Sequence, residues 1–311
     1  MRRNFNELIG EMWDQGRFVC VGLDSDDGKI PAVVVQSCMS DGISGVGNHI
    51  ATFNRAIVNT TKEIAGYYKP NFAFYIRHGV KGLIALHQSI MYINTVAPDI
   101  PVILDCKDAD IDNTNIGYVQ MAFDYCGADA ITINPYLGMD AVQPFLDQKD
   151  KGIIVLCRTS NKGSGEFQDL RVNLVAQDPA AKRNEFARFA NRIGQEPDEG
   201  SVPLYQYVAF RVAEHWNKNG NCGVVVGATY PGELKAVREI IGDLPILIPG
   251  IGAQGGDVEA TVKAGKSKDG KGMIINASRG IIFASKGEDY AQAAHNETLK
   301  LHNSINQCLN Q

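Results

Sequence analysis

The chain has 311 residues, of which 44% are hydrophobic and 21% charged, and its formal net charge is −5. This length suits one large domain, and the negative charge without a long basic run disfavours a nucleic-acid partner. No apolar stretch approaches the roughly 18 residues of a membrane span and no signal peptide is recognisable, so we expect no membrane association and a cytoplasmic location. The seven cysteines are scattered without a CxxC pair, which is typical of a reducing compartment.

Eight short apolar runs recur along the chain, and most intervals between them have helix-like patterns. Continuous apolar runs that alternate with helices are typical of a parallel sheet covered by helices. The count of eight predicts closure into a (β/α)8 TIM barrel, and the absence of a GxGxxG after the first run disfavours an open dinucleotide-binding sheet. The runs are 18–24, 65–71, 102–107, 130–134, 152–158, 223–228, 245–250 and 272–277.

Two intervals are longer than the others. One lies between the first two runs, and the other, roughly 162–220, connects the fifth and sixth and includes a polar stretch at 171–200. Neither contains enough apolar residues for a core of its own. We therefore predict a single domain over residues 1–311 with two elaborated connections.

Charged residues lie at the end of the third run and just after it, and this segment is the most informative part of the chain. Asp105 and Lys107 fall at the end of this predicted strand, and Asp110 lies beyond it in the loop. Side chains alternate along a strand, so Asp105 and Lys107 should point the same way. The ends of the first two runs add Asp24 and Lys69. Because barrel chemistry gathers at the carboxyl ends of the strands, the sequence predicts an active site of alternating charges there.

Glycine-rich segments follow the last two runs, at 249–257 and 276–281. Glycines allow an oxyanion to approach backbone amides, and the loops after strands seven and eight commonly bind phosphate in this fold. Gln254 adds an amide donor to the first segment, and Arg279 adds a guanidinium fork to the second. Together they predict a phosphate monoester ligand.

Motifs along the whole chain now support a family resemblance. The sequence resembles the orotidine 5′-monophosphate decarboxylases, specifically their longer bacterial-type branch. The DxKxxDI..T pattern within LDCKDADIDNT is the most specific match, while Cys106, Asp108 and Ala109 inside it depart at variable positions. The matching segments are VGLDSD (21–26), YYKPNFAFY (67–75), LDCKDADIDNT (104–114), INPYLG (133–138), VLCRTSN (155–161), VVGATYPGEL (225–234), PGIGAQGGD (249–257) and ASRGI (277–281).

The resemblance implies a reaction without metal or cofactor, in which orotidine 5′-monophosphate loses its carboxylate to give uridine 5′-monophosphate and carbon dioxide. Lys107 is then the expected proton donor to the pyrimidine C6, buried among carboxylates, and Asp105 faces the departing carboxylate. Lys69 and Asp110 complete the charged array. Asp110 and Thr114 would come from the partner subunit of a homodimer, so that the sites lie at the subunit interface.

The resemblance also implies how the nucleotide is bound. The expected contacts are Asp24 and Lys69 to the ribose hydroxyls, Ser160 to the pyrimidine edge, and Gln254 and Arg279 to the phosphate, with Pro249 at the start of the same phosphate loop.

Two alternatives remain open from the sequence. A magnesium-dependent sugar-phosphate decarboxylase or aldolase of the same superfamily shares the DxKxxD pattern. In that branch an acidic ligand is expected where this chain has Lys69, whose charge repels a divalent cation. The second alternative is a catalytically silent barrel that only binds nucleotides, which the intact charged array disfavours.

Overall fold

The computed structural model describes residues 3–111, 113–173, 189, 201–251 and 256–310. Eight parallel strands form one sheet, and they are β1 (Val19–Leu23), β2 (Tyr67–Pro70), β3 (Ile103–Asp108), β4 (Ala130–Ile133), β5 (Gly152–Arg158), β6 (Cys222–Val226), β7 (Ile246–Pro249) and β8 (Met273–Ala277). Their order in the sheet is β2-β1-β8-β7-β6-β5-β4-β3.

The two ends of this sheet meet, so the barrel is closed. Isolated parallel bridges join Tyr68 to Val102 and Asn71 to Asp105, between β2 and β3. The Phe72 amide also donates to the Asp105 carbonyl over 3.1 Å. The predicted (β/α)8 TIM barrel is therefore confirmed, with each predicted run forming a strand.

Helices surround the barrel, which explains why its strands are apolar on both faces. None of the helices in the described ranges is both long and apolar enough to cross a bilayer. The helices are α1 (Phe5–Asp14), α2 (Ala32–Ser40), α3 (Val46–Thr61), α4 (Ala73–Ile76), α5 (Gly79–Val96), α6 (Thr114–Val119), α7 (Met139–Leu146), α8 (Gly165–Gln168), α9 (Leu204–Arg211), α10 (Pro231–Ile241), α11 (Val258–Gly265), α12 (Arg279–Ile282) and α13 (Tyr290–Leu309).

Both long connections contain secondary structure. Helices α2 and α3 lie between β1 and β2, and the connection from β5 to β6 contains α8, an antiparallel pair (Arg171–Asn173 with Ser201–Pro203) and α9. Most of the predicted polar stretch 171–200 lies outside the described residues.

The N-terminal segment covers the amino ends of the strands. Phe5 of α1 packs on Gly152 at the start of β5 so closely that a β-carbon there would lie 2.3 Å from the ring. Arg3 forms an ion pair with Asp129, whose side chain is 1% exposed, over 2.7 Å. Asp129 also accepts a hydrogen bond from the Val102 amide. The end of the barrel opposite the predicted site is therefore held by an ion pair between a buried carboxylate and a partly exposed guanidinium group.

Candidate active site

Three charged side chains meet at the carboxyl ends of β2 and β3. Lys69 Nζ lies 2.7 Å from Asp105 Oδ2, and Lys107 Nζ lies 2.5 Å from Asp105 Oδ1. Lys69 and Asp105 are buried, at 3% and 8% exposure. Each oxygen of one carboxylate thus contacts a different ammonium group, and the predicted convergence of these residues is found.

This arrangement fixes the charge state of the buried pair. Burial favours the neutral form of Asp105, but the Lys69 and Lys107 ammonium groups outweigh it and hold the pKa of Asp105 well below its usual range. Burial also disfavours a charged Lys69, whereas Asp105 and then Asp24 favour it, so the pKa of Lys69 is raised. At neutral pH the pair is therefore ionised.

Lys107 differs from the sequence expectation in one respect. It was expected to be buried among carboxylates, but its side chain is 46% exposed in this chain, and of the described carboxylates it pairs only with Asp105. The reason is that Lys107 lies next to the last residue of β3, at the open mouth of the barrel, and within the described residues Asp110 forms no ion pair with it. One face of the Lys107 ammonium group therefore remains available to a ligand.

The backbone at Lys107 is unusual. Among the residues that the structure describes, Lys107 is the only non-glycine residue with a positive φ, 62°. The register of β3 against β4 shifts between Leu104 and Asp108, which produces this bulge. Such a conformation costs about 1–3 kcal/mol and persists where surrounding contacts require it. The alternation of side chains in a regular strand is therefore not sufficient to explain the contact between Lys107 and Asp105, because the strand is bulged at this point.

Thr132 holds the backbone of Lys107 in this conformation, and its role was not predicted from the sequence. Its hydroxyl accepts a hydrogen bond from the Lys107 amide (3.0 Å) and donates one to Asp105 Oδ1 (2.9 Å). Thr132 is buried between isoleucines in β4. The available signal was a hydroxyl residue in the strand adjacent to the charged one.

Asp24 lies directly after β1 and is half-buried. Its Oδ1 atom is buried and has no hydrogen-bond partner among the residues that the structure describes. A buried carboxylate oxygen without a partner is costly unless a ligand satisfies it. Its charge contributes to the raised pKa of Lys69, which places the two side chains in the same mouth.

Asp110 and Thr114 are not brought to the lysines of their own chain. Within the described residues Asp110 forms no ion pair with Lys69 or Lys107; its Oδ1 accepts from the Ile111 amide over 2.7 Å. Asn115 accepts from the Asp110 amide over 2.7 Å and donates to the Ala141 carbonyl over 2.6 Å, so this loop is held against α7. Thr114 begins α6 and is exposed.

Ser160 follows β5 and rests on the backbone of a neighbouring strand end. A β-carbon on Gly227 would lie 2.8 Å from the Ser160 β-carbon. The adjacent Arg158 is buried, donates to Ser164 Oγ over 2.5 Å and stacks 4.3 Å from the centre of the Tyr230 ring. These contacts fix where Ser160 can lie.

The predicted phosphate end is formed by β7 and β8. Pro249 ends β7 and pairs in register with Asn276 of β8. Ser278 donates to the Gly22 carbonyl over 2.9 Å, and Arg279 follows, exposed, at the start of α12. Pro249 and Arg279 therefore both lie where β7 and β8 reach the mouth of the barrel, and their role in phosphate binding stays a prediction. Gln254 lies outside the described residues.

Comparison with known proteins gives a consistent result. The profile of the Orotidine 5′-phosphate decarboxylase / HUMPS family matches residues 17–294. The chain is 40% identical over 304 residues to the orotidine 5′-phosphate decarboxylase of Cellvibrio japonicus, covering 97% of this chain and 98% of that protein. It is 42% identical over 303 residues to the enzyme of the same name from Cupriavidus necator, covering 97% of each chain.

Solved structures are similar as well. The structure of Leishmania donovani OMP decarboxylase matches with a TM-score of 0.73 and 34% identity, covering 96% of this chain and 99% of that chain. The structure of Leishmania donovani UMP synthase matches with a TM-score of 0.75 and 36% identity, covering 98% of this chain and 57% of that longer chain.

Proposed function

We propose that Lys107, Asp105 and Lys69 carry out the reaction of this chain, which belongs to the orotidine 5′-phosphate decarboxylase / HUMPS family. The reaction is the decarboxylation of orotidine 5′-monophosphate to uridine 5′-monophosphate, the last step of de novo UMP synthesis. The observation that supports these roles is the pair of ammonium groups on one buried carboxylate. Lys69 keeps Asp105 ionised and in place, and Asp105 in turn orients Lys107.

In the proposed mechanism the bond between C6 and the carboxylate breaks, and its electron pair stays on C6. Carbon dioxide leaves next to Asp105, and the Lys107 ammonium group stabilises the developing carbanion. Lys107 then transfers a proton to C6 and regains one from water. Because Lys107 is nearly half-exposed, its ammonium group can reach a substrate without losing its contact with Asp105.

We assign nucleotide binding to the remaining predicted residues. Asp24, with its unpartnered oxygen, binds ribose hydroxyls together with Lys69. Ser160 contacts the pyrimidine edge. The phosphate lies between the loops that follow β7 and β8 and is bound by Gln254 and Arg279, with Pro249 at the loop base. Binding of this remote phosphate contributes to catalysis when it helps to enclose the base.

The proposal includes no metal or cofactor. Both oxygens of Asp105 are engaged by ammonium groups, so a divalent cation would have to displace a lysine to reach them. The two ammonium groups beside Asp105 therefore argue against the magnesium-dependent alternative. We also propose a cytoplasmic location, which suits seven free cysteines.

We further propose a homodimer in which Asp110 and Thr114 complete the partner's site. Within the part of the chain that the structure describes, Asp110 does not pair with Lys69 or Lys107, and exposed apolar residues lie near it along the chain and at the start of the segment that leads into α7, against which its loop is held. Ile111, Ile116 and Tyr136 are each more than half exposed. Several exposed large apolar side chains in one region are consistent with a protein interface.

A direct assay tests the activity. Purified protein is mixed with orotidine 5′-monophosphate in excess EDTA, and conversion is followed by ultraviolet absorbance. We expect turnover that the chelator does not affect and that falls by more than about 10³ in Lys107→Ala, since a preorganised charge and the proton donor are both lost. Lys235→Ala, at a side chain 71% exposed, is the matched control and should retain full activity. Near-normal turnover in K107A would contradict the assigned roles.

The dimer has its own test. K107A and D110A protein are each inactive under the proposal, but equal mixing should produce dimers with one intact site. Random exchange then restores about a quarter of wild-type activity. A mixture that remains as inactive as its components refutes a shared site.

A further inference from the structure

Four buried polar side chains form a network directly behind Asp24. Ser25 comes from the loop after β1, Asn54 from α3, Tyr75 from α4 and Ser89 from α5, and none is more than 2% exposed. Asn54 contacts the other three. Its Oδ1 lies 2.6 Å from Ser25 Oγ, and its Nδ2 lies 3.0 Å from Tyr75 Oη and 2.9 Å from Ser89 Oγ.

The donors in this network determine its direction. Ser25 donates to Asn54, and the two amide hydrogens of Asn54 go to Tyr75 and Ser89. Tyr75 in turn donates to the Leu23 carbonyl over 3.0 Å, and Ser89 to the Ala85 carbonyl over 2.7 Å. Both hydroxyl hydrogens are thus used, so the reversed amide would place an oxygen against two groups with no hydrogen left to give. The orientation of Asn54 is therefore fixed.

One branch of the network ends on both neighbours of Asp24. The Leu23 carbonyl is held through Tyr75, and the Ser25 hydroxyl is held by Asn54 itself. No hydrogen bond joins Asn54 to Asp24. The other branch, through Ser89, leads away from the site into α5. Asn54 thereby holds a backbone carbonyl on one side of Asp24 and a side-chain hydroxyl on the other, while Asp24 Oδ1 itself has no partner within the described ranges.

We propose that Asn54 is a positioning residue that orients Asp24 and so sets the affinity for the hydroxyl groups of the bound nucleotide. This inference rests on the proposed role of Asp24. A rigid support is needed because a carboxylate that must meet a hydroxyl loses much of its binding contribution when it is displaced by about 1 Å. Buried, fully satisfied networks provide such rigidity.

The test compares two probes, uridine 5′-monophosphate and its 2′,3′-dideoxy analogue, which lacks the ribose hydroxyls. In the wild-type protein uridine 5′-monophosphate binds more tightly than the analogue. The dissociation constant of the analogue divided by that of uridine 5′-monophosphate therefore measures recognition of the hydroxyls. We expect Asn54→Ala to reduce this ratio roughly 5- to 20-fold, part of the contribution of a hydrogen bond to a charged group. The dissociation constant of the dideoxy analogue should stay unchanged. A purely structural role would leave the ratio as it is.

Matched variants make the result specific. Ser89→Ala removes an equally buried hydroxyl from the branch that leads away from Asp24, and it should leave the ratio unchanged. Ser25→Ala removes one hydroxyl beside Asp24 and should lower the ratio, which keeps the test available if N54A does not fold. An unchanged ratio in S25A, or in a folded N54A, overturns the proposal.

The Asp24→Asn background separates this inference from the proposal on which it depends. If D24N lowers the ratio and N54A adds nothing to it, Asn54 acts through Asp24. If D24N leaves the ratio unchanged, the assigned role of Asp24 is wrong. If D24N lowers the ratio but N54A alone does not, only the role of Asn54 is wrong.

Discussion

Replacement of Asp105 by Asn should destabilise the protein strongly although it preserves the side-chain shape. Lys69 is 3% exposed and lies 2.7 Å from Asp105. The change leaves its ammonium group buried without its main counter-charge. Removing one partner of a buried ion pair costs roughly 3–5 kcal/mol. Asp24 retains part of the compensation, so we expect the lower end, about 3 kcal/mol.

The unfolding entropy converts this loss into a temperature. For 311 residues it is about 0.65 kcal/mol per kelvin, so about 3 kcal/mol lowers Tm by roughly 5 °C. Urea denaturation in reducing buffer at neutral pH measures the free energy of unfolding directly. The exposed Lys235→Met is a control that should leave both values unchanged.

A second variant tests whether the unpaired charge of Lys69 causes the loss of stability. Lys69→Met combined with D105N removes the buried charge that D105N leaves unpaired, and should therefore be more stable than D105N alone. The explanation is refuted if D105N shifts Tm by less than about 1 °C, or if the double variant is the less stable of the two.

Three further outcomes are expected. Gly227→Ala would place a β-carbon 2.8 Å from the Ser160 β-carbon and 3.0 Å from its backbone nitrogen, so it displaces Ser160 and should both raise KM for orotidine 5′-monophosphate roughly tenfold and lower Tm; an unaltered KM in steady-state assays would contradict the contact. Arg3→Met leaves buried Asp129 unpaired and should cost roughly 3 kcal/mol in urea denaturation, whereas an unchanged midpoint argues against the pair. The lowered pKa of Asp105 means that its stabilising effect is complete above the usual carboxyl pKa of about 4 and is lost as pH falls below it. The stability difference between wild type and D105N should thus be smaller at about pH 3 than at about pH 5.

The sequence predicted the barrel well because burial on both faces leaves a continuous apolar signal. The run 152–158 coincides with strand Gly152–Arg158, and the run 65–71 contains the shorter strand Tyr67–Pro70. The meeting of Lys69, Asp105 and Lys107 at the ends of such runs could also be predicted, since parallel strands bring their carboxyl ends to one side.

Details that depend on contacts between distant residues could not be predicted. The positive φ of Lys107 depends on the adjacent strand, which supplies the Thr132 hydroxyl. Asn54 lies in α3, far along the chain from Asp24, and reads as an ordinary polar position of a helix. Only the folded structure shows that it is buried against Ser25.

The closure of the barrel has a consequence for its motion. Regular strand pairing is interrupted between β2 and β3, where two isolated bridges join the ends of the sheet. Lys69 and Asp105 pair across this interruption. Local opening begins where backbone hydrogen bonds are sparse, so amide hydrogens along this seam should exchange fastest among the barrel strands. A nucleotide that contacts both β2 and β3 would slow that exchange. The amide exchange rate at this seam would then report how much of the protein has nucleotide bound.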